Sequence, residues 1–181
     1  MRRHAVEAAR RTGIPLLMLE RPAWQPAPGD CWVEVPDMAA AAEALGARPQ
    51  RVLLTVGQKD LAPFAAAPHH HYVIRSIERP AIESLPPRVE LISARGPFAE
   101  EEERALLQQH RIETLVTKNS GGEATAAKLA AARALGVSIV MVQRPPTPAL
   151  DGVEVETAAD AAGAVAWLEA RHGLASRLRG V

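Results

Sequence analysis

Short apolar runs alternate along this chain with alanine-rich amphipathic stretches, and that alternation sets the expected architecture. Residues 2–12 read as a helix closed at Gly13, followed by a buried strand over 14–19. Pro22, Pro26 and Pro28 mark an irregular crossing, after which Trp32-Val33-Glu34-Val35 alternates as a short strand and Asp37 caps a helix running to Leu45. A regular rhythm then begins. Strands are expected over 51–56, 72–77 and 89–94, with a short helix through Leu61 and Phe64 after the first of them. The acidic start at Glu100 opens a helix to about His110, the next strand covers 114–117, and a helix runs from Glu123 to Leu135 before Gly136. A strand over 137–142, a proline-rich loop (Pro145-Pro146-Thr147-Pro148), the run Val153-Glu154-Val155 and a helix from Thr157 to about His172 complete the chain. Strands that alternate with helices, several of them continuous apolar runs, point to an α/β fold. The sheet is expected to be mostly parallel and Rossmann-like, with helices on both faces.

Composition narrows the function classes without choosing one. Of the 181 residues, 48% are hydrophobic and 23% charged, the usage of a globular chain with a buried core. Lys plus Arg number 21 and Asp plus Glu number 21, so there is no net field to draw nucleic acid or an anionic membrane, and any anion site must be local. No apolar run approaches membrane-spanning length. The single cysteine, Cys31, has no partner for an internal disulfide, which fits a reducing cytoplasm.

In open parallel sheets ligands bind beyond the carboxyl ends of the strands, so the loops that follow strands carry the candidate chemistry. Lys118-Asn119-Ser120-Gly121-Gly122 places a cation, small hydrogen-bonding side chains and two glycines before a helix, with Thr125 just beyond. Free N–H groups at such a turn, next to a lysine, are suited to an anion, whereas a plain strand-to-helix turn has the same composition. The loop matches neither the phosphate-loop motif nor G-x-G-x-x-G. In Gly57-Gln58-Lys59 the glycine permits positive φ and the lysine could meet a phosphate or carboxylate, or it is simply solvated. Arg95-Gly96 after the third of these strands could hold a carboxylate bidentately. Arg75 interrupts an apolar strand, either as an edge residue or as a ligand clamp. His69-His70-His71 lacks the partners of a zinc site and reads as a surface loop, so no metal is expected. Glu100 to Glu103 reads as a solvated helix start, and the tryptophans as packing residues.

These loops resemble those of the precorrin-6A reductase family, including its cobalt-precorrin-6A branch. The resemblance rests on Leu19 to Trp24, Leu54 to Leu61, Arg75-Ser76, Ala94 to Phe98, Val116 to Gly122 and Met141 to Pro145, in order and spacing over nearly the whole chain. It implies an NADPH-dependent oxidoreductase that reduces a carbon–carbon double bond of precorrin-6A to give precorrin-6B in cobalamin biosynthesis. The resemblance implies no metal or flavin for the chemistry, and no residue is assigned as general acid. It further implies that Lys118, Asn119, Ser120, Gly121 and Gly122 suit a cofactor phosphate or a substrate carboxylate, and these residues with Thr125 are taken as cofactor contacts. Contacts to the tetrapyrrole carboxylates are implied at Gly57, Gln58, Lys59, Arg75, Ser76, Arg95, Gly96 and Arg144, with Arg79 a further candidate. Other corrin-pathway enzymes are candidate partners. Family members usually begin with a Gly-rich strand–turn–helix and an Ala-Thr-His-Pro-Phe-like block, neither of which is present. Residues 1–46 are therefore expected to be the remnant of an N-terminal Rossmann-like lobe with its crossover, and 47–181 a C-terminal Rossmann-like domain. A binding module without catalysis and a nucleotide-sugar transferase are the competing readings.

Overall fold

The computed structural model describes residues 2–145 and 155–178. In chain order the elements are α1 (Arg2–Thr12), β1 (Leu16–Leu19), β2 (Trp32–Val35), α2 (Met38–Ala44), β3 (Arg51–Leu54), β4 (His71–Ser76) and β5 (Val89–Ser93). They continue with α3 (Glu100–Gln109), β6 (Thr114–Lys118), α4 (Ala127–Leu135), β7 (Ser138–Val142), β8 (Val155–Ala158) and α5 (Ala161–Leu178). The chain forms two compact units, Met1–Pro22 with Pro146–Val181, and Ala23–Pro145.

In the larger unit six strands form one sheet in the order β2-β7-β6-β3-β4-β5, and every neighbouring pair is parallel. Counting β3 as the first strand, β5-β4-β3-β6-β7 reads 3-2-1-4-5, the doubly wound order in which connections leave the central strands in opposite directions. The continuous apolar runs are explained by burial on both sides. Val52, Leu53 and Leu54 of β3 and Tyr72, Val73 and Ile74 of β4 are all at 0% exposure. One face packs Val52, Leu54 and Ile74 against Met38 and Ala41 of α2 and against Leu61 and Phe64. The other packs Leu53, Val73 and Ile139 against Leu107 of α3 and Leu129 and Ala132 of α4. The expected α/β fold, with its parallel sheet and helices on both faces, is the observed one.

In the smaller unit β1 and β8 pair in parallel, Leu16 opposite Val155 and Leu19 opposite Ala158.

Four local expectations change. The apolar run at 14–19 forms a strand only from Leu16, and Ile14 stays 63% exposed. The helix expected through Leu61 and Phe64 is a pair of 3₁₀ turns, Gln58–Asp60 and Ala62–Ala66, with Pro63 in the second. Thr157 and Ala158 lie in β8, and the last helix begins at Ala161, where the Asp160 carboxylate accepts the Gly163 N–H at 2.8 Å and caps it. The units also do not divide after residue 46. Pairing of β2 with β7 draws 32–35 into the larger sheet, and pairing of β8 with β1 returns the end of the chain to its beginning. Pro146-Thr147-Pro148 and Val153-Glu154 lie outside the described residues.

Candidate functional site

The strand order reverses between β3 and β6, so the loops leaving their carboxyl ends stand side by side at the switch point. Both are loops that the sequence marks. The Lys118 Nζ reaches Asp60 Oδ2 at 2.7 Å, tying the loop after β6 to the turn after β3. The same Asp60 carboxylate accepts the Gly57 N–H at 3.2 Å.

The loop over 118–122 is held by three groups distant in sequence. Asn119 is buried, and its amide is engaged with the Trp24 backbone in both directions: Oδ1 accepts the Trp24 N–H at 2.8 Å and Nδ2 donates to the Trp24 carbonyl at 3.0 Å. The Trp24 indole donates to the Gly122 carbonyl at 2.9 Å. Arg144 donates through Nε to the Asn119 carbonyl at 2.7 Å and through Nη2 to the Ser120 carbonyl at 2.8 Å. These contacts draw the carbonyls inward. Gly121 and Gly122 have φ of +67° and +79°, a conformation that glycine adopts at little cost. Among the described residues their N–H groups donate to nothing. Inward carbonyls, free amides and a half-exposed ammonium paired with Asp60 together make a partial positive charge.

Strand β4 and helices α3 and α4 together hold a buried charged group. Arg75 makes a bidentate pair with Glu103, at 3.0 and 2.8 Å, with both side chains under a tenth exposed, and its guanidinium stacks on Phe98 at 3.9 Å. Lys128 of α4 is 7% exposed and sits 5.0 Å from the Trp24 ring centroid. Burial pushes its ammonium down to about 8, with Glu103 opposing the shift and Arg75 adding to it.

A family model described as precorrin-6x reductase CbiJ/CobK matches residues 1–169. The chain belongs to this family. It is 48% identical over 166 residues to a precorrin-6A reductase of Rhodococcus erythropolis, covering 92% of this chain and 65% of that protein. It is 48% identical over 141 residues to one of a Sinorhizobium species, covering 78% of this chain and 54% of that protein. A solved structure titled CobK precorrin-6A reductase superposes with a TM-score of 0.85 at 40% identity, over 93% of this chain and 67% of that one. The chain thus spans between about half and two thirds of the length of these curated relatives.

Within this member of the precorrin-6x reductase family, the residues singled out in the sequence fall into two groups. Lys118 meets Asp60, which also accepts the Gly57 N–H, at the switch point. Ser120 is exposed there, with its hydroxyl 3.5 Å from that of Thr125. Lys59 and Arg95 are exposed and have no ion pair or hydrogen bond among the described residues. Ser76 donates its hydroxyl to the Glu78 carbonyl at 2.7 Å, and Gln58 donates to the same carbonyl at 3.3 Å.

The second group serves the fold. Arg75 is not an edge residue, because β4 pairs with β3 on one side and β5 on the other, and two of its donors engage Glu103, which is correspondingly not a solvated helix residue. Arg144 secures the 118–122 loop through two of its donors. The Asn119 side chain does the same. Gly57 has φ of −73°, so it uses no left-handed freedom. Its requirement is space, since a Cβ there would stand 3.1 Å from Asp60 Oδ2. Gly96 makes room for the Phe98 ring, which a Cβ would meet at 3.2 Å. His69 to His71 is not a surface loop. His70 is fully buried against Tyr72, its pKa is lowered by burial and by His69, and His71 begins β4. Among the described residues no cluster of three His, Cys, Asp or Glu side chains could hold a metal ion, and no helix is long and apolar enough to cross a membrane.

Sequence reasoning missed Asp60, Glu103, Lys128 and the buttress role of Trp24. The one available signal was Asp60, three residues after Gly57, the spacing at which a carboxylate returns to a backbone N–H.

Proposed function

We propose that this chain carries the nicotinamide-cofactor site and part of the tetrapyrrole site of a precorrin-6A reductase, an oxidoreductase that forms precorrin-6B from precorrin-6A with NADPH in cobalamin biosynthesis. The observation that carries this reading is the pair of unpartnered glycine amides beside Lys118, at the point where the strand order reverses. When bound, NADPH supplies hydride to a carbon–carbon double bond. The residues of this chain bind and orient. The Gly121 and Gly122 N–H groups fit a cofactor phosphate, and Lys118 contributes a full charge by exchanging Asp60 for it. Ser120 and Thr125 offer hydroxyls at the loop's outer side. Lys59 and Arg95, whose donors are free, are the cations placed to meet macrocycle carboxylates.

Calorimetric titration with NADPH tests the reading. Lys118→Ala is expected to weaken binding by about 1–3 kcal/mol, the worth of a charge-assisted bond to phosphate. Asp60→Asn should strengthen it, because the competing carboxylate is removed. Equal affinity in the Lys118→Ala and unaltered proteins rejects the cofactor assignment. Because the chain spans 65% and 54% of its two relatives, a second reading is binding without turnover. Single-turnover oxidation of NADPH in the presence of precorrin-6A would contradict that second reading.

A further inference from the structure

Trp24 touches both ends of the 118–122 loop. Its backbone pairs with the Asn119 amide at 2.8 and 3.0 Å, and its indole N–H reaches the Gly122 carbonyl at 2.9 Å. Arg144 holds the Ser120 carbonyl at 2.8 Å. The two peptides that flank the Gly121-Gly122 pair are therefore each fixed through a carbonyl. A planar trans peptide directs its N–H opposite to its C=O, so the Ser120 carbonyl fixes the aim of the Gly121 N–H, and the Gly122 carbonyl that of Glu123. The Gly122 N–H lies on the peptide between these anchors. Its aim follows from both, because glycine at positive φ resists turning only weakly.

The Trp24 ring is in turn met by Lys128. The ammonium stands 5.0 Å from the ring centroid, within cation–π range, and makes no hydrogen bond or ion pair among the described residues. Lys128 lies in the first turn of α4 and is 7% exposed. Two charged groups act on it from neighbouring elements: Glu103 of α3 favours the ammonium and Arg75 of β4 opposes it, and those two are paired with each other. Burying an ammonium without a paired carboxylate works against the fold, which an apolar side chain of similar length would serve better. The contact that the charge does make is with the indole that holds Gly122.

We infer that Lys128 is a positioning residue whose ammonium fixes the Trp24 indole and, through it, the aim of the glycine N–H groups on a bound anion. The protonated lysine favours the binding geometry, and loss of the proton relaxes it. Burial lowers its pKa to about 8, so the change falls in the mildly alkaline range. The inference rests on the anion-site reading of the 118–122 loop given above, and it adds to that site a residue that does not touch the ligand.

Calorimetric titration of the full chain with NADPH on either side of pH 8, joined to exchange of the Trp24 indole proton in the ligand-free protein, tests it. Below pH 8, Lys128→Met is expected to weaken NADPH binding roughly 3- to 10-fold and to speed indole exchange, although the same change raises stability. A lysine of purely structural importance would leave both readouts where they are. Above pH 8 the affinities of the two proteins should converge. Lys128→Arg, charged at every pH, should keep the affinity and lose the fall that separates it from the unaltered protein above pH 8. Trp24→Phe retains a ring face but no indole N–H, so adding Lys128→Met to it should weaken binding no further. Unchanged affinity and indole exchange in Lys128→Met overturns the inference, and additive losses in the double variant overturn the route through Trp24. If the unaltered protein does not bind NADPH, the cofactor reading fails, and indole exchange, which needs no ligand, still decides whether Lys128 holds Trp24.

Discussion

The loop after β6 and the cleft after β4 share one rim of one sheet, yet their polar groups are disposed in opposite ways. At the loop the arginine is engaged inward: Arg144 holds the Asn119 and Ser120 carbonyls, Trp24 holds the Gly122 carbonyl, and Lys118 is already paired with Asp60. At the cleft, lined by Ser76, Arg79, Pro80, Leu91, Ile92 and Ser93, Arg79 has its donors free among the described residues and Pro80, Leu91 and Ile92 make an apolar wall. The difference separates two ways of recognising an anion. The first fixes backbone dipoles before the ligand arrives, so little ordering entropy remains to be lost on binding. The second leaves a long side chain free to settle on a ligand, which costs rotamer entropy.

The comparison is broken most severely by removing an arginine that the fold already uses. Arg75→Ala leaves Glu103 buried without its partner, and the expected loss is about 3–5 kcal/mol of stability, read from the urea midpoint at constant slope. Should Arg75→Ala keep its stability and lose affinity for carboxylates, Arg75 would belong with the free cations after all. Asn119→Ala is the next largest. It leaves the Trp24 N–H and carbonyl without their partners, for about 2–3 kcal/mol, and should speed amide exchange across 118–122. Unchanged exchange there would mean that Trp24 and Arg144 alone order the loop.

Lys128 sharpens the contrast through pH. The folded protein releases its proton near 8 whereas the ordinary value is 10.5, so the unfolded chain binds the proton more tightly. The cost of burying the ammonium is fully present below about 8 and is relieved as pH rises toward 10.5. Lys128→Met should therefore stabilise the protein at neutral pH by on the order of 2 kcal/mol and flatten the rise between those values. A rise of equal slope in Lys128→Met would assign it to another group.

Much of this was legible in one dimension. The continuous apolar runs of β3, β4, β6 and β7 announce strands buried on both faces, and Gly13 and Gly136, at φ of +68° and +66°, close helices where the sequence places those closures. The loop over 118–122 is marked by its own residues. The roles of the arginines are not. Arg75, Arg79, Arg95 and Arg144 all lie in or just after strands, and local pattern treats them alike. What separates them is whether Glu103, a backbone carbonyl or nothing lies within reach, and Glu103 is 28 residues from Arg75. The end of the chain departs from its local pattern for the same reason: Thr157 and Ala158 are good helix-boundary residues in isolation and become a strand because β1 offers them a ladder.

By itself, then, the sequence determined the α/β alternation, the parallel character of the sheet and the loops that end at its carboxyl rim, because periodicity and turn chemistry act over a few residues. Only the tertiary structure decided strand order, the return of β8 to β1 and which donors remain free. Those outcomes depend on closures between distant segments, such as the contact between Trp24 and Asn119 across 95 positions, whose partners no local pattern specifies.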